Sequence, residues 1–300
     1  MDARTYRIKR TVKRIFKAPL SLCNLMKESF KPAAQIRRTL KRLEKIHSKY
    51  CSAEIYTSEK GLIVNPSNNP SLYYHPTRLQ YLINGDYEPA TRRFLLESLP
   101  KKGTFIDLGA NEGFFSILLA SKKDAKVYAF EPVKTTRDFL KKNIELNTTK
   151  DNVIVESFAV GNKHGYMNIT TNHFGKNHIS PSKNRNTQKT QITTMDAYIK
   201  KKNINKIDII KADIEGAEIL FLKGAKETLK NHNPYLVIEV SQKNLSRYGY
   251  TPQDVFRELE SQGYRCIRGF RHSETKNCKQ YMGQMNYLFQ KKAKQNIRKS

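Results

Sequence analysis

Short apolar runs alternate with amphipathic segments over most of the chain between residues 89 and 290. The apolar runs have strand length and are rich in β-branched and aromatic residues, at 104–108, 126–130, 153–160, 207–212 and 235–238. The amphipathic segments carry apolar residues at helical spacing, at 89–99, 114–120, 138–146, 219–222 and 252–259. Two further strands are predicted at 264–267 and 287–289. This alternation predicts an α/β fold around a mostly parallel sheet.

The first predicted strand runs into a glycine turn and then into a helix, in the sequence TFIDLGANEGFFS at 104–116. Such a turn brings backbone N–H groups and a helix start to the carboxyl end of a strand, where open α/β sheets bind ligands. Gly109 and Gly113 keep side chains away from that ligand. Their spacing differs from the three-glycine dinucleotide fingerprint, and no phosphate-loop Gly-Lys-Ser/Thr follows. Asp107, just before the first glycine, favours a cationic amine over a phosphate.

A second acid, Glu131, ends the next predicted strand and precedes Pro132. A carboxylate at this position can accept two hydrogen bonds from ribose hydroxyls, as it does in dinucleotide-binding folds. Taken alone, Asp107 or Glu131 would be interpreted as a surface acid at the end of a strand. With the glycine turn between them, the two acids predict a cofactor site.

A group of acids follows two later strands. Asp213 and Glu215 come after the run at 207–212, and Glu239 comes after the run at 235–238. Because the carboxyl ends of parallel strands lie at one edge of the sheet, these acids are expected to face the same cleft as the glycine turn. Lys211 either orients a substrate or pairs with these acids. Helix capping is the other interpretation of Glu215, since acids are common at helix starts.

Residues 174–190 are polar and lack periodicity, and they lie between two predicted short strands at 166–170 and 191–194. A lid over a substrate and a disordered insertion are equally consistent with this composition. His164, His173 and His178 lie near or in the segment. For these histidines both a catalytic role and simple solvation stay open.

The formal net charge is +28 at pH 7 and is concentrated at the two ends. Residues 1–50 hold fifteen Lys and Arg against three acids, and residues 291–300 hold five Lys and Arg and no acid. We therefore divide the chain into a basic amphipathic helical extension (1–50), a catalytic domain (51–290) and a basic tail (291–300). A charge of this kind attracts polyanions such as anionic lipid, phosphorylated glycan or nucleic acid, and solubility alone is the other explanation.

Residues 1–50 repeat apolar residues at helical spacing among lysines and arginines. Such a helix can lie on an anionic membrane surface or pack its apolar face on the domain that follows. An organelle transit peptide is a third interpretation. No apolar run reaches the roughly 18 residues of a membrane span, and the start lacks the apolar region of a secretory signal. A cytoplasmic protein is expected, with or without peripheral contact to a membrane.

The four cysteines, Cys23, Cys51, Cys266 and Cys278, are widely scattered and include no C-x-x-C pair. This spacing is typical of a reducing compartment and indicates neither a zinc site nor a disulfide framework.

Five blocks in order resemble the FkbM-type methyltransferases, over roughly residues 85–245. They are DLGANEGFFS, AFEP, TTMDAYI, IIKADIEGAE and NPYLVIEV, with the lead-in GDYEP at 85–89. The resemblance implies a Rossmann-like, seven-stranded sheet with an antiparallel last strand and helices on both faces. It also implies O-methylation of a hydroxyl on a sugar or other natural product with S-adenosylmethionine (SAM). The residues to which it assigns SAM binding are Glu88, Asp107, Gly109, Asn111, Gly113, Glu131, Phe158 and Asp213.

Methyl transfer to an alcohol requires alignment of the acceptor oxygen and a group that takes its proton. Asp213 or Glu215 is the candidate base or acceptor-orienting residue. Alternatively, Asp213, Glu215 and Glu239 hold Mg²⁺, which would acidify the hydroxyl. The expected acceptor is a hydroxylated molecule, either neutral or anionic, such as a glycan or glycolipid.

Two rival functions use the same fold. The basic charge invites a nucleic-acid methyltransferase, and Asn233-Pro234-Tyr235 resembles the N-P-P-Y motif of base amino-methyltransferases. The motif lacks its second proline here and precedes the fifth predicted strand, whereas those enzymes carry it after the fourth, so nucleic acid is disfavoured as the partner. A non-catalytic polyanion-binding protein is the other rival, against which the intact acids and glycines argue.

Overall fold

The computed structural model describes residues 87–147, 151–171, 177–180, 186–271, 274–278 and 280–291, and the backbone of four short strands nearer the N terminus. Those strands are β1 (Thr5–Tyr6), β2 (Ala53–Ser58), β3 (Gly61–Pro66) and β4 (Leu72–Tyr74), which pair antiparallel in that order. The amphipathic helices predicted within 1–50 and the basic tail from 292 lie outside the described residues.

The remaining strands are β5 (Thr104–Leu108), β6 (Lys126–Phe130), β7 (Val153–Glu156), β8 (Ala159–Val160), β9 (Gly165–Thr170), β10 (Ile179–Ser180), β11 (Thr187–Thr193), β12 (Ile209–Ala212), β13 (Tyr235–Val240), β14 (Tyr264–Arg271), β15 (Glu274–Asn277) and β16 (Met285–Lys291). The helices are α1 (Pro89–Ser98), α2 (Phe114–Lys123), α3 (Lys134–Leu146), α4 (Met195–Lys202), α5 (Glu218–Lys223), α6 (Lys226–His232), α7 (Gln242–Leu245) and α8 (Pro252–Ser261), with a 3-10 turn at Ser246–Tyr248.

The main sheet has the order β15-β14-β16-β13-β12-β5-β6-β7. Strands β7, β6, β5, β12 and β13 are parallel, and β16 is antiparallel to both of its neighbours. The predicted α/β fold and its antiparallel last strand are confirmed. The described sheet has eight strands and not seven, because β15 adds a hairpin partner to β14 at the edge.

The sheet is covered on both faces. One face packs against α1, α2 and α3 through residues such as Leu95, Ile117 and Leu140. The other face packs against α4, α5, α6 and α8 through residues such as Phe221 and Leu259. Burial on both faces explains why the central strands are continuous apolar runs with little alternation.

The third predicted strand breaks after Glu156, although the sequence predicts one strand from 153 to 160. Strand β7 ends there, and β8 joins β11 in a second sheet of order β10-β9-β11-β8. Phe158 turns between them to pack on Phe130 and Tyr198, with ring centroids 5.6 and 5.8 Å apart. The apolar pattern continues across the break and therefore cannot reveal that the chain changes sheet.

Cys266 and Cys278 form a disulfide. The sequence interpretation, in which no disulfide is indicated, is wrong for this pair. The β14–β15 hairpin brings the two cysteines together across 12 residues, which scattered spacing does not disclose. Cys23 and Cys51 lie outside the described residues. None of the helices in the described part of the chain has the length and hydrophobicity that a bilayer crossing requires.

Candidate active site

A cavity of about 630 Å³ opens at the carboxyl ends of the parallel strands. All predicted site residues except Gly113 line it. These lining residues are Glu88, Asp107, Gly109, Asn111, Glu131, Phe158, Lys211, Asp213, Glu215 and Glu239. The cavity lies where the strand order reverses between β5 and β12, the position at which open α/β sheets bind ligands.

The two glycines of the turn act differently. Gly109 has φ +79°, and a Cβ there would overlap the carbonyl oxygen of Asp213. Because Gly109 has no side chain, the end of β5 and the segment after β12 can lie close to each other at the cavity floor. Gly113 has φ +93° and precedes α2, and a Cβ there would meet Leu140. Gly113 thus shapes the turn and its packing on α3, behind the cavity wall.

Glu131 is held by the backbone of two turns. Its Oε2 accepts from the N–H of Asn111 (3.0 Å), and its Oε1 accepts from the N–H of Val133 (2.9 Å). Asn111 itself has φ +55°, and its Oδ1 is buried without a hydrogen-bond partner. A buried acceptor without a donor beside the glycine turn is a polar group that a bound ligand can satisfy.

Two residues that sequence reasoning missed fix the Glu131-Pro132 turn. Arg137 Nη1 donates to the carbonyl oxygens of Glu131 and Pro132, each at 2.8 Å. Gln188 Nε2 also donates to Pro132 O (2.6 Å), so β11 is tied to the same turn. Neither residue lies in a motif, and only the tertiary contact discloses its role.

Asp107 lies on the face covered by α2, where Ser116 Oγ donates to its Oδ2 at 2.7 Å. Burial raises the pKa of Asp107, and the charge of Lys211 opposes that rise. The parallel register pairs Asp107 with Lys211 on β12. Paired residues of neighbouring strands project from the same face, so both side chains lie under the same helices.

Lys211 is 2% exposed, and its Nζ lies 3.1 Å from Asp213 Oδ2. Burial acts to lower the pKa of Lys211, but the negative charges of Asp213, Glu88 and Asp107 outweigh it and hold the pKa well above the ordinary value. The ammonium therefore stays charged. Pairing with the acids, one of the two roles predicted for Lys211, is what the geometry shows.

Glu88 ends the lead-in to α1 with φ +43°, and its Oε2 accepts from Asn286 Nδ2 at 2.6 Å. The same Nδ2 lies 3.2 Å from Thr91 Oγ1. Burial raises the pKa of Glu88. Asn286 belongs to β16, which is distant in sequence, and no local signal identifies it as a neighbour of the site.

Glu215 projects from the turn after β12 with φ +55°. Its Oε2 accepts from Asn244 Nδ2 (2.9 Å) and lies 4.0 Å from Arg247 Nη1. The helix-capping interpretation of Glu215 is wrong, because α5 starts later and the acid that accepts from the turn is Glu218. Glu218 Oε1 accepts from the N–H of Gly216 at 3.1 Å.

Glu239 lies near the end of β13 and lines the cavity. Its Oε1 accepts a hydrogen bond from Gln284 Nε2 at 3.2 Å. Burial and the charge of Asp213 raise the pKa of Glu239 to about 9. The Mg²⁺ alternative is not supported, because the described residues contain no group of three or more His, Cys, Asp or Glu that could hold a metal ion.

Part of the predicted polar loop lies against the cavity. Asn177, His178 and Ile179 line it together with Ile169, which is the β9 partner of Ile179. The N–H of Ile179 donates to the hydroxyl of Tyr248 at 3.0 Å. His164 lies outside the cavity lining and contacts Thr193, and His173 lies outside the described residues.

Comparison with known proteins adds three findings. The family model "Methyltransferase FkbM domain" matches residues 107–266. Hexuronic acid methyltransferase AglP of Haloferax volcanii is 25% identical over 167 residues, which are 56% of this chain and 65% of the relative. Methyltransferase sdnD of Sordaria araneosa is 25% identical over 165 residues, 44% of this chain and 64% of the relative. The chain thus spans just under two thirds of the length of these curated relatives.

Among solved structures, a methyltransferase FkbM from Methylobacillus flagellatus KT is similar to this chain with a TM-score of 0.45 and 15% identity. The superposition covers 86% of this chain and 60% of that one.

Proposed function

The chain belongs to the FkbM methyltransferase family, and from that premise we propose that it methylates a hydroxyl group of a sugar, glycan or other natural product with SAM as the donor. The observation that carries the proposal is the cavity at the switch of strand order, into which the glycine turn and both strand-end acids project.

The residues of the cavity fit SAM. Asn111 Oδ1 is a buried acceptor that a ligand donor can satisfy, and Gly109 keeps the turn free of a side chain. Glu131 is oriented by two backbone N–H groups, and a carboxylate oxygen can accept more than one hydrogen bond, so the same group can receive ribose hydroxyls. Phe158 supplies an aromatic wall at the end of β7 for an adenine ring.

Charge in the cavity supports the same cofactor. The described lining carries Glu88, Asp107, Glu131 and Asp213 among its acids, and Lys211 is its one Lys or Arg. A bound SAM supplies an activated methyl group on a positively charged sulfonium. Acids around a cation favour it over a neutral molecule of similar shape. The acidic cavity contrasts with the basic charge of the whole chain.

The protein's own part in the reaction is binding, orientation and exclusion of water. Asp213 and Glu215, at the edge of β12, are proposed to orient the acceptor by accepting hydrogen bonds from hydroxyl groups other than the one that is methylated. The charged Lys211 keeps Asp213 in a fixed position. Residues 177–179 line the cavity and are proposed to limit the water that competes as an acceptor.

Calorimetric titration with S-adenosylhomocysteine tests the proposed cofactor site. We expect micromolar binding by the wild-type protein. Glu131→Ala should weaken binding about 10-fold to 100-fold, since each lost hydrogen bond to a charged group is worth about 1.5–3 kcal/mol. Glu145→Ala is the matched control, because Glu145 is an exposed acid on α3 outside the cavity lining. Equal affinity in the wild type and Glu131→Ala would show that the pocket is misassigned.

A further inference from the structure

Glu239 and Asp213 are neighbours across two parallel strands. The register pairs Ala212, the last residue of β12, with Ile238 of β13, and the residue that follows each of them in the sequence is an acid. Both side chains project from the face that also carries Lys211, and both line the cavity. The role predicted for Glu239 from the sequence is that of a metal ligand, and the described residues do not support that metal site.

Among the residues that the structure describes, Glu239 forms no ion pair with a Lys or Arg. Lys211 lies beside Asp213 at 3.1 Å and also compensates Glu88, while Glu215 and Glu218 add further negative charge from the turn after β12. Glu239 Oε1 accepts a hydrogen bond from the neutral side chain of Gln284. Two carboxyl groups that share a site rarely ionise together, so one of them keeps its proton.

The other two acids of the cavity edge have a partner that carries or adjoins a positive charge. Asp213 accepts from the Lys211 ammonium, and Glu215 accepts from Asn244 beside Arg247. Glu239 instead accepts from the neutral amide of Gln284 while it lines the cavity, so within the described part of the chain it is the one of the three acids without an ion pair. Burial and its acidic neighbours raise the pKa of Glu239 to about 9, so its ionised form is a strong base for a carboxylate.

We propose that Glu239 is the catalytic base that takes the proton of the acceptor hydroxyl. This inference rests on the proposed function. Glu239 receives the hydroxyl proton as the acceptor oxygen forms a bond to the methyl carbon, and the carbon–sulfur bond of the donor breaks with its electron pair going to sulfur. The products are the methyl ether, the neutral thioether and protonated Glu239, which returns its proton to solvent after product release.

Carboxyl ¹³C NMR tests the proton on Glu239 without an acceptor. The protein is labelled at glutamate, saturated with S-adenosylhomocysteine and titrated, and the Glu239 signal is the one that Glu239→Gln removes. We expect a midpoint close to pH 9, as the pKa of about 9 requires. A midpoint below neutral pH would overturn the proposal. Glu239→Asp keeps a carboxyl group and gives a second variant for the same titration.

Methyl transfer provides the second readout, with tritiated SAM as donor and methyl α-D-glucopyranoside as the acceptor probe. The rate should rise about tenfold per pH unit and level off near the Glu239 midpoint, and Glu239→Gln should lower it about 100-fold or more. Glu145→Gln is the control, because it removes the same charge as Glu239→Gln. A rate that is independent of pH between neutrality and the midpoint would assign the proton to another group.

Failure of this inference can be distinguished from failure of the proposed function. If the wild-type protein does not bind S-adenosylhomocysteine, the proposed cofactor site itself is contradicted. If the wild type and Glu239→Gln bind S-adenosylhomocysteine equally, the cofactor site stands. A Glu239 titration midpoint of the wild type in the ordinary range of glutamate would then contradict only the role of Glu239 as the base.

Discussion

At the scale of single residues, the main feature of the cavity is how few cations balance its buried acids. One buried ammonium, that of Lys211, faces Asp213, Glu88 and Asp107, and the neutral amide of Asn286 holds Glu88. Removing a single partner from such a group leaves a buried charge without compensation, which costs more than the pair contributes. The four charged residues could be identified from the sequence, because each lies at or just after the end of a strand or precedes a helix, whereas Asn286 could not. Their pairing could not be predicted either, because it depends on register.

Lys211→Met should destabilise the protein by about 3–5 kcal/mol at neutral pH, since Asp213, Glu88 and Asp107 lose the cation that faces them. The loss should shrink as the pH falls, because Glu88 and Asp107, whose pKa values burial raises, then become protonated. Urea denaturation at two pH values measures both effects. Lys206→Met is the matched control, since Lys206 forms an exposed ion pair with Asp208 and should change stability by less than about 1 kcal/mol. Equal losses in the two variants would contradict this account of Lys211.

At the scale of elements, the sequence predicts what is local. The strands β5, β6, β12 and β13 and the glycine turn follow from apolar runs that end in acids or glycines. What it does not predict are contacts between elements distant in the chain. The break between β7 and β8, the disulfide of the β14–β15 hairpin and the contact of β10 with the turn after α7 all depend on tertiary pairing. Periodicity reports which face of an element is apolar, but not which neighbour covers it.

The β10 contact gives a prediction at this scale. Tyr248→Phe removes the acceptor of the Ile179 N–H, so this edge strand loses one of its anchors. We expect amide hydrogen exchange of residues 177–180 to accelerate about tenfold, with global stability nearly unchanged, because one neutral hydrogen bond contributes about 1 kcal/mol. Tyr250→Phe is the control, since the Tyr250 hydroxyl contacts Lys223 at the surface. Unchanged exchange in Tyr248→Phe would mean that β9 alone holds the segment.

At the scale of the whole molecule, charge is divided between the surface and the cavity. The chain carries a net charge of +28, whereas the described cavity lining is rich in acids. The acidic interior suits a cationic cofactor, and the basic exterior suits an anionic surface. We propose that the surface contact is an anionic membrane or glycolipid layer and that residues 1–50 make it, because they hold fifteen Lys and Arg.

Sedimentation with phosphatidylserine vesicles tests this contact. Replacing the Lys and Arg residues at 7–17 with Gln keeps the length of the chain and removes charge, so binding should fall and become less sensitive to salt. The same substitution in the Lys and Arg residues at 291–300 controls for net charge alone. Equal sedimentation of the 7–17 variant and the wild type would leave residues 1–50 as a packing element.

Strand β16 lies between β13 and β14 although it comes last among the strands. It also carries Asn286, whose amide reaches Glu88 across 198 residues of chain. During synthesis, one edge of β13 therefore stays unpaired until residues 285–291 leave the ribosome. An open edge of this kind is a template for pairing with another chain. The order of translation thus leaves the incomplete chain with an open sheet edge and without the Asn286 contact to Glu88, so we expect its tendency to aggregate to be greatest just before β16 emerges.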